Sequence, residues 1–136
     1  MELFDTTYLI DLANNDPGAL KEASEIDSKG TTPAISVITV HEYLLGVHLG
    51  NRNSSALLMS KLARARQDIS GFEVIPLTQE IMELSSKIES DLLGEGRLIG
   101  INDVYIAATA MHYNMRLITR NSSHFKRISG LTVGSY

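Results

Sequence analysis

Short apolar runs rich in β-forming residues alternate with longer helical stretches along this chain. The runs are three to six residues long, and their patterns predict strands at 2–4, 34–36, 72–77, 116–119 and 131–133. Apolar residues recur at helical spacing in most of the intervening segments, and the turn cluster "NNDPG" predicts a break between two helices. This alternation predicts βαβ units, and therefore a parallel sheet with helices on both faces.

Length and composition predict a single globular domain over residues 1–136. Hydrophobic residues make up 43% of the chain and charged residues 21%, which is typical of a folded protein. No apolar run is long enough to span a bilayer, and the N-terminus carries acids before any base, unlike a secretory signal. The absence of cysteine excludes disulfides and thiolate metal sites. A soluble, cytoplasmic protein is therefore predicted.

The net charge of −4 is unevenly distributed along the chain. Residues 51–70 and 101–136 are basic, and the segments around them are acidic. This pattern is compatible with a basic rim around an acidic centre, although an ordinary solvated surface would give the same counts.

Three acids stand where predicted strands lead into predicted helices. Asp5 follows the first strand, Glu42 lies early in the helix after the second, and Asp103 starts a helix just before the strand at 116–119. Because strand ends and helix starts of a parallel sheet gather at one edge, the three acids could converge. Each also has a plainer interpretation: Asp5 and the pair 102–103 as N-caps, and Thr39-x-x-Glu42 as a capping box.

The positions of two of these acids on their helices favour a site. Asp103 and Glu42 each lie on an apolar stripe, the first with Ile106, Ala107, Ala110 and Met111, the second with Ile38, Leu45 and Leu49. Partly buried carboxylates must be protonated, paired or bound to a cation, and no Lys or Arg is near them in sequence. A hard divalent cation such as Mg²⁺ or Mn²⁺ would satisfy the cluster.

Four ordered motifs resemble the signature of PIN-domain nucleases, and more narrowly the VapC-type toxins of VapBC toxin–antitoxin pairs. They are "LFDTT", "SVITVHEYLLG", "GINDVYIAATA" and "LITRNSSHF", which span nearly the whole chain. The resemblance implies a three-layer α/β/α sandwich with a central parallel sheet. It also implies an endoribonuclease dependent on Mg²⁺ or Mn²⁺, a homodimer, and a VapB-type antitoxin that blocks the site.

The resemblance assigns roles to individual residues. It implies that Asp5, Glu42 and Asp103 are catalytic metal ligands and that Thr6 supports them. Asn121 stands where the family often has a further acid, and as a neutral oxygen ligand it completes the predicted catalytic set. Residues predicted more weakly to bind RNA are Arg64, Arg66, Arg120 and His124.

The sequence leaves two alternatives to a nuclease. One is a phosphatase or phosphotransfer domain in which Asp5 is the phosphorylated residue. A haloacid-dehalogenase phosphatase would need a second Asp where this chain has Thr7. A response-regulator receiver would carry its phosphoacceptor on a middle strand, so neither pattern fits. The remaining alternative is a PIN-like module that binds RNA or protein without cleaving it.

Overall fold

The five strands of the protein lie side by side in one parallel sheet. A computed structural model describes residues 1–136, with β1 (Glu2–Phe4), β2 (Ala34–Ser36), β3 (Glu73–Ile75), β4 (Arg116–Ile118) and β5 (Val133–Gly134). Their order is β3-β2-β1-β4-β5, and every neighbouring pair is parallel. The predicted parallel sheet is confirmed, although the last strand begins two residues later than predicted.

Seven helices connect and cover these strands. They are α1 (Thr6–Ala13), α2 (Pro17–Lys29), α3 (Val37–Gly50), α4 (Ser55–Ile69), α5 (Gln79–Gly94), α6 (Ile101–His112) and α7 (Ser122–Phe125). The predicted break between α1 and α2 is confirmed: Asp16 caps α2 by accepting the Ala19 N–H at 3.0 Å, and Pro17 takes the first position. Proline suits that position because its missing N–H would have no helical partner. None of the helices combines the length and apolar character needed to cross a membrane.

The start of α3 differs from the prediction. Ser36 at the end of β2 is the N-cap, and its Oγ accepts the Ile38 N–H at 3.1 Å. The helix therefore begins at Val37, which places Glu42 in the sixth position and not the third. The predicted Thr39–Glu42 capping box is wrong, because Ser36, three residues before Thr39, is the N-cap and satisfies the Ile38 N–H.

The two faces of the sheet carry separate apolar cores. Leu3 and Leu117 pack with α5 and α6 on one face, whereas Phe4 and Ile118 pack with α1 and α2 on the other. Neighbouring residues of a strand point to opposite faces, so even three-residue strands supply both cores. The predicted α/β/α sandwich is confirmed.

The apolar stripe predicted around Glu42 is not a core stripe. Leu45 and Leu49 are 44% and 49% exposed, and Thr39 is the only fully buried residue of α3. The helix packs mainly against α4, so its outer apolar side chains face away from the sheet. Of the predicted stripe, only Ile38 packs against a core, whereas Glu42 itself is half-buried as predicted.

Helix α6 lies tightly in the larger core because half of its six buried residues are alanines. Ala107, Ala108 and Ala110 are each 0% exposed, and the helix packs against α5 and the sheet. Small side chains allow this close approach, which carries the first turn of α6 to the edge of the sheet.

Enlarging this face should destabilise the protein without touching the acids. We expect Ala107→Leu to lower the free energy of unfolding by about 1–3 kcal/mol, because the core has no room for the added carbons. Urea denaturation measures the change. The matched control is Ala63→Leu on the exposed side of α4, which should stay within about 0.5 kcal/mol of wild type. Equal effects of the two changes would contradict the tight packing of α6.

Candidate active site

Asp5 and Thr119 meet because their strands are neighbours in the sheet. Phe4 of β1 lies opposite Ile118 of β4, and the Asp5 N–H donates to the Ile118 carbonyl at 2.9 Å. Asp5 and Thr119, the residues that follow this pair, therefore leave the carboxyl edge of the sheet side by side. Thr119 Oγ1 donates to Asp5 Oδ2 at 2.8 Å, although the two residues are 114 positions apart.

The Asp5 carboxylate is buried among neutral hydrogen-bond donors. It caps α1 by accepting the Thr6 N–H on Oδ1 at 2.8 Å, and Thr7 Oγ1 donates to Oδ2 at 3.1 Å. The residue is 4% exposed and forms no ion pair. The predicted N-cap is confirmed, and the same carboxylate also lies at the centre of the strand edge.

Thr6 joins Asp5 to Glu42. Its N–H binds Asp5, and its Oγ1 donates to Glu42 Oε1 at 2.7 Å. Glu42 thus reaches the strand edge from the second turn of α3, where it is half-buried. Thr39, one turn earlier in α3, lies against the same Thr6 hydroxyl with its Oγ1 at 3.1 Å.

Asp103 enters the same edge from α6. The helix begins at Ile101 after the N-cap Gly100, so Asp103 is its third residue and the predicted cap at 102–103 is wrong. The helix starts earlier than expected, which leaves Asp103 Oδ2 free to pair with His124 Nε2 at 2.8 Å. Its negative charge also acts on Asp5 through space.

Comparison with known proteins identifies the family of this chain. Residues 3–131 match the family model of the PIN domain. The chain belongs to the PIN-domain family. It is 31% identical over 126 residues to Ribonuclease VapC1 of Methanocaldococcus jannaschii, covering 93% of this chain and 79% of that protein. It is also 28% identical over 141 residues to Ribonuclease VapC2 of Rickettsia felis, covering 98% of this chain and 96% of that protein.

Solved structures show the same fold. The DNA-bound VapBC structure from Salmonella typhimurium has a TM-score of 0.84 at 25% identity, covering 99% of this chain and 98% of that one. The VapBC-1 structure from Haemophilus influenzae has a TM-score of 0.82 at 28% identity, covering 98% and 96%. The resemblance inferred from the four sequence motifs is confirmed.

Most of the cations predicted to hold RNA in this PIN domain already have acidic partners. Arg64 Nε lies 3.1 Å from Asp68 Oδ1, and Arg120 Nη1 pairs with Asp11 Oδ1. Arg66 is exposed and has no acidic partner. Of the three arginines, Arg66 is therefore the one whose charge is free to meet a phosphate.

The segment after β4 brings two further predicted residues to the site. The Asn121 N–H donates to Thr119 Oγ1 at 3.0 Å, while the Asn121 side chain is exposed and makes no hydrogen bond. His124 lies on α7, where its ring contacts Asp103. The amide of Asn121 is thus available to solvent or substrate beside the strand edge.

Sequence reasoning missed three polar groups that shape this region. Thr119 belongs to one of the four motifs, but no role was predicted for it. Its position directly after β4, which pairs with β1, is the signal that places it beside Asp5. Asp11 was also missed: it is buried, and besides Arg120 it accepts the Tyr136 hydroxyl at 2.6 Å. No local pattern marks that contact, because 125 residues separate its partners. Thr39 was assigned to the capping box.

The donor chemistry of this PIN-domain edge suits a hard divalent cation. Asp5, Glu42 and Asp103 offer carboxylate oxygens, which are the ligands that Mg²⁺ and Mn²⁺ prefer. A carboxylate has about four acceptor positions, and protein donors occupy three on Asp5 but one each on Glu42 and Asp103. The side chains as they stand do not form a closed group of three metal-binding residues. The three acids therefore have the oxygen ligands that such an ion prefers, and each keeps at least one acceptor position that no protein donor occupies.

Burial raises the pKa of the Asp5 carboxyl above its ordinary value. Loss of hydration is the main cause, and the negative charge of Asp103 adds to it. Hydrogen bonds from Thr119, Thr6 and Thr7 lower the pKa but do not cancel the effect of burial. The metal-free fold therefore disfavours the ionised form of Asp5.

Asp5→Asn should reveal this cost as a pH dependence. Below about pH 4, Asp5 is protonated in folded and unfolded protein alike, and it costs nothing. As pH rises, the unfolded chain ionises first, so the wild type loses stability until the folded pKa is passed. We expect the difference in unfolding free energy, Asp5→Asn minus wild type, to grow as the pH rises above about 4 and to level off once the raised folded-state pKa of Asp5 is passed.

Urea denaturation in the presence of a chelator measures this difference. Glu89→Gln is the matched control, because Glu89 is exposed and makes no hydrogen bond or ion pair. Its difference should stay nearly constant over the same range. A difference for Asp5→Asn that shrinks toward neutral pH would show that folding favours the ionised carboxylate.

Proposed function

We propose that the protein is a metal-dependent endoribonuclease that hydrolyses RNA phosphodiester bonds and acts as the toxin of a toxin–antitoxin pair. The observation that carries the proposal is the buried Asp5 carboxylate, which has neutral donors but no cation and lies within reach of the charge of Asp103. Membership of the PIN-domain family and similarity to proteins named ribonucleases support the choice of substrate. A single domain over residues 1–136 would carry the activity.

Asp5, Glu42 and Asp103 would hold the Mg²⁺ or Mn²⁺ ion. When bound, such an ion supplies activation of water and neutralises charge on the reacting phosphate. The cluster is buried at Asp5 and half-buried at Glu42 and Asp103, with no Lys or Arg beside it, so an incoming cation gains favourable interactions with carboxylates that have already lost part of their hydration. The three acids are thus arranged to favour the bound ion over the empty site.

The remaining residues of the site position groups around the scissile phosphate. The hydroxyls of Thr7 and Thr119 hold Asp5 in one orientation, and Thr6 does the same for Glu42. The exposed amide of Asn121 offers a neutral oxygen or an N–H donor at the same edge. His124 is held against Asp103, and Arg66 is a free cation for the RNA backbone.

Removing the carboxylate of Asp5, which is buried, or that of Asp103, which is paired with His124, should nearly abolish cleavage. We expect Asp5→Asn and Asp103→Asn each to lower kcat/KM for RNA at least about 100-fold in Mg²⁺ or Mn²⁺, because changes to residues that merely orient metal ligands already cost about 10–100-fold. Glu89→Gln removes one surface charge and should leave the rate within about twofold of wild type.

The readout is cleavage of a labelled RNA, with the product ends mapped. Hydrolysis by water with a 3′-oxygen leaving group yields 5′-phosphate and 3′-hydroxyl ends. Full activity in both aspartate variants would rule out this site. A wild type that binds RNA but cuts none in either metal would instead support a binding module that does not cleave.

The partners proposed for the chain are a second copy of itself and a VapB-type antitoxin. Structures of VapBC complexes among its structural relatives support the antitoxin. A homodimer and a cytoplasmic location follow from the family resemblance. Co-purification with a short DNA-binding protein encoded immediately upstream, and loss of RNA cleavage in that complex, would test the pairing.

A further inference from the structure

The Thr6 hydroxyl lies between two oxygens but has one proton to give. Its Oγ1 is 2.7 Å from Glu42 Oε1 and 3.1 Å from Thr39 Oγ1. A carboxylate can only accept, and hydrogen bonds to a charged acceptor are the stronger ones. Thr6 therefore donates to Glu42.

The direction of the second hydrogen bond follows from the first. Heavy-atom positions alone would let Thr6 donate to either oxygen. With its single proton committed to Glu42, we infer that the Thr39 hydroxyl turns to donate to Thr6 across the 3.1 Å contact. The Thr39 side chain has no other hydrogen-bond partner in the structure, and the residue is 0% exposed. Buried hydroxyls are nearly always satisfied, and water does not reach this one.

We propose that Thr39 is a positioning residue for Glu42 and acts through Thr6. The chain of donors runs from Thr39 to Thr6 to Glu42 Oε1, which leaves Oε2 as the oxygen without a protein donor. Hydrogen bonds in such a chain polarise one another, so the bond to Glu42 is stronger than Thr6 alone would make it. The role rests on the proposed nuclease function, in which Glu42 is a metal ligand.

Two substitutions at one position isolate the hydroxyl. Thr39→Ser keeps it and Thr39→Ala deletes it, and the two variants are otherwise equally truncated. Thr109 provides the matched control pair, because it is also 0% exposed but bonds the Tyr105 carbonyl within its own helix. Thr109→Ser and Thr109→Ala therefore make the same chemical change away from Glu42.

The experiment measures Mn²⁺ affinity by calorimetry without RNA, and kcat and KM for an RNA oligonucleotide. We expect Thr39→Ala to lose about tenfold in kcat and in Mn²⁺ affinity, with KM little changed because Thr39 is buried away from RNA. Thr39→Ser should recover to within about threefold of wild type, and the Thr109 pair should show no such contrast. If Thr39→Ala and Thr39→Ser behave alike, the proposal is overturned.

A double-mutant cycle tests the route through Thr6. If Thr39 acts only by donating to Thr6, then Thr6→Val combined with Thr39→Ala loses no more activity than Thr6→Val alone. Losses that multiply would show that Thr39 acts by another path, and would overturn the proposal.

The outcomes separate this proposal from the nuclease function itself. A wild type that neither binds Mn²⁺ nor cleaves RNA removes both. If the wild type binds Mn²⁺ and cleaves RNA but Thr39→Ala and Thr39→Ser behave alike, only the positioning role is ruled out. Thermal unfolding is measured for every variant to show that it is folded. Thr39→Val replaces Thr39→Ala if the latter does not fold. Failure of both to fold, with the Thr109 pair folded, would make Thr39 a purely structural residue.

Discussion

The pairing of β1 with β4 is the constraint on which the site depends. It sets Phe4 opposite Ile118, so that Asp5 and Thr119 leave the sheet together. A shift of one residue would turn every side chain of these short strands to the other face, exchanging Leu3 and Phe4 between two separate cores. Core packing on both faces therefore fixes the register, and the register fixes the donor that Asp5 receives. The stability of the fold and the geometry of the acids are consequences of the same contacts.

Two buried aspartates show how this protein treats negative charge in different ways. Asp11 is paired with the Arg120 guanidinium and the Tyr136 hydroxyl, which tie α1 to the segment after β4 and to the final residue of the chain. Its charge is compensated within the fold. Asp5 lies six residues earlier on the same segment and receives only uncharged donors. Those donors orient the carboxyl group without compensating a negative charge on it, so a bound cation is what would favour its ionised form.

The sequence predicted the elements of this fold better than the contacts between them. Strand and helix positions follow from local periodicity, and the three acids could be placed at one edge because parallel strands share that edge. The cap that Asp5 forms on the Thr6 N–H was predictable because it is local. The other hydrogen bonds that orient the acids, from Thr119 to Asp5, from Thr6 to Glu42 and between His124 and Asp103, join segments distant in sequence and could not be predicted. The start of α3 was misplaced for a local reason. Ser36 and Thr39 are both good caps, and the one used is Ser36, the residue at which β2 ends.

The observed role of Asp5 as a helix cap and its proposed role as a metal ligand do not exclude each other. An N-cap has extended backbone, as Asp5 does with φ −75° and ψ 161°, and so does the last residue of a strand. A strand that passes directly into a helix must therefore place its capping side chain at the carboxyl edge of the sheet, where ligands bind. Capping preference alone cannot distinguish the two roles at such a join. What distinguishes Asp5 is that a surface cap would be solvated, whereas this carboxylate is buried beside a second acid with no cation to balance it.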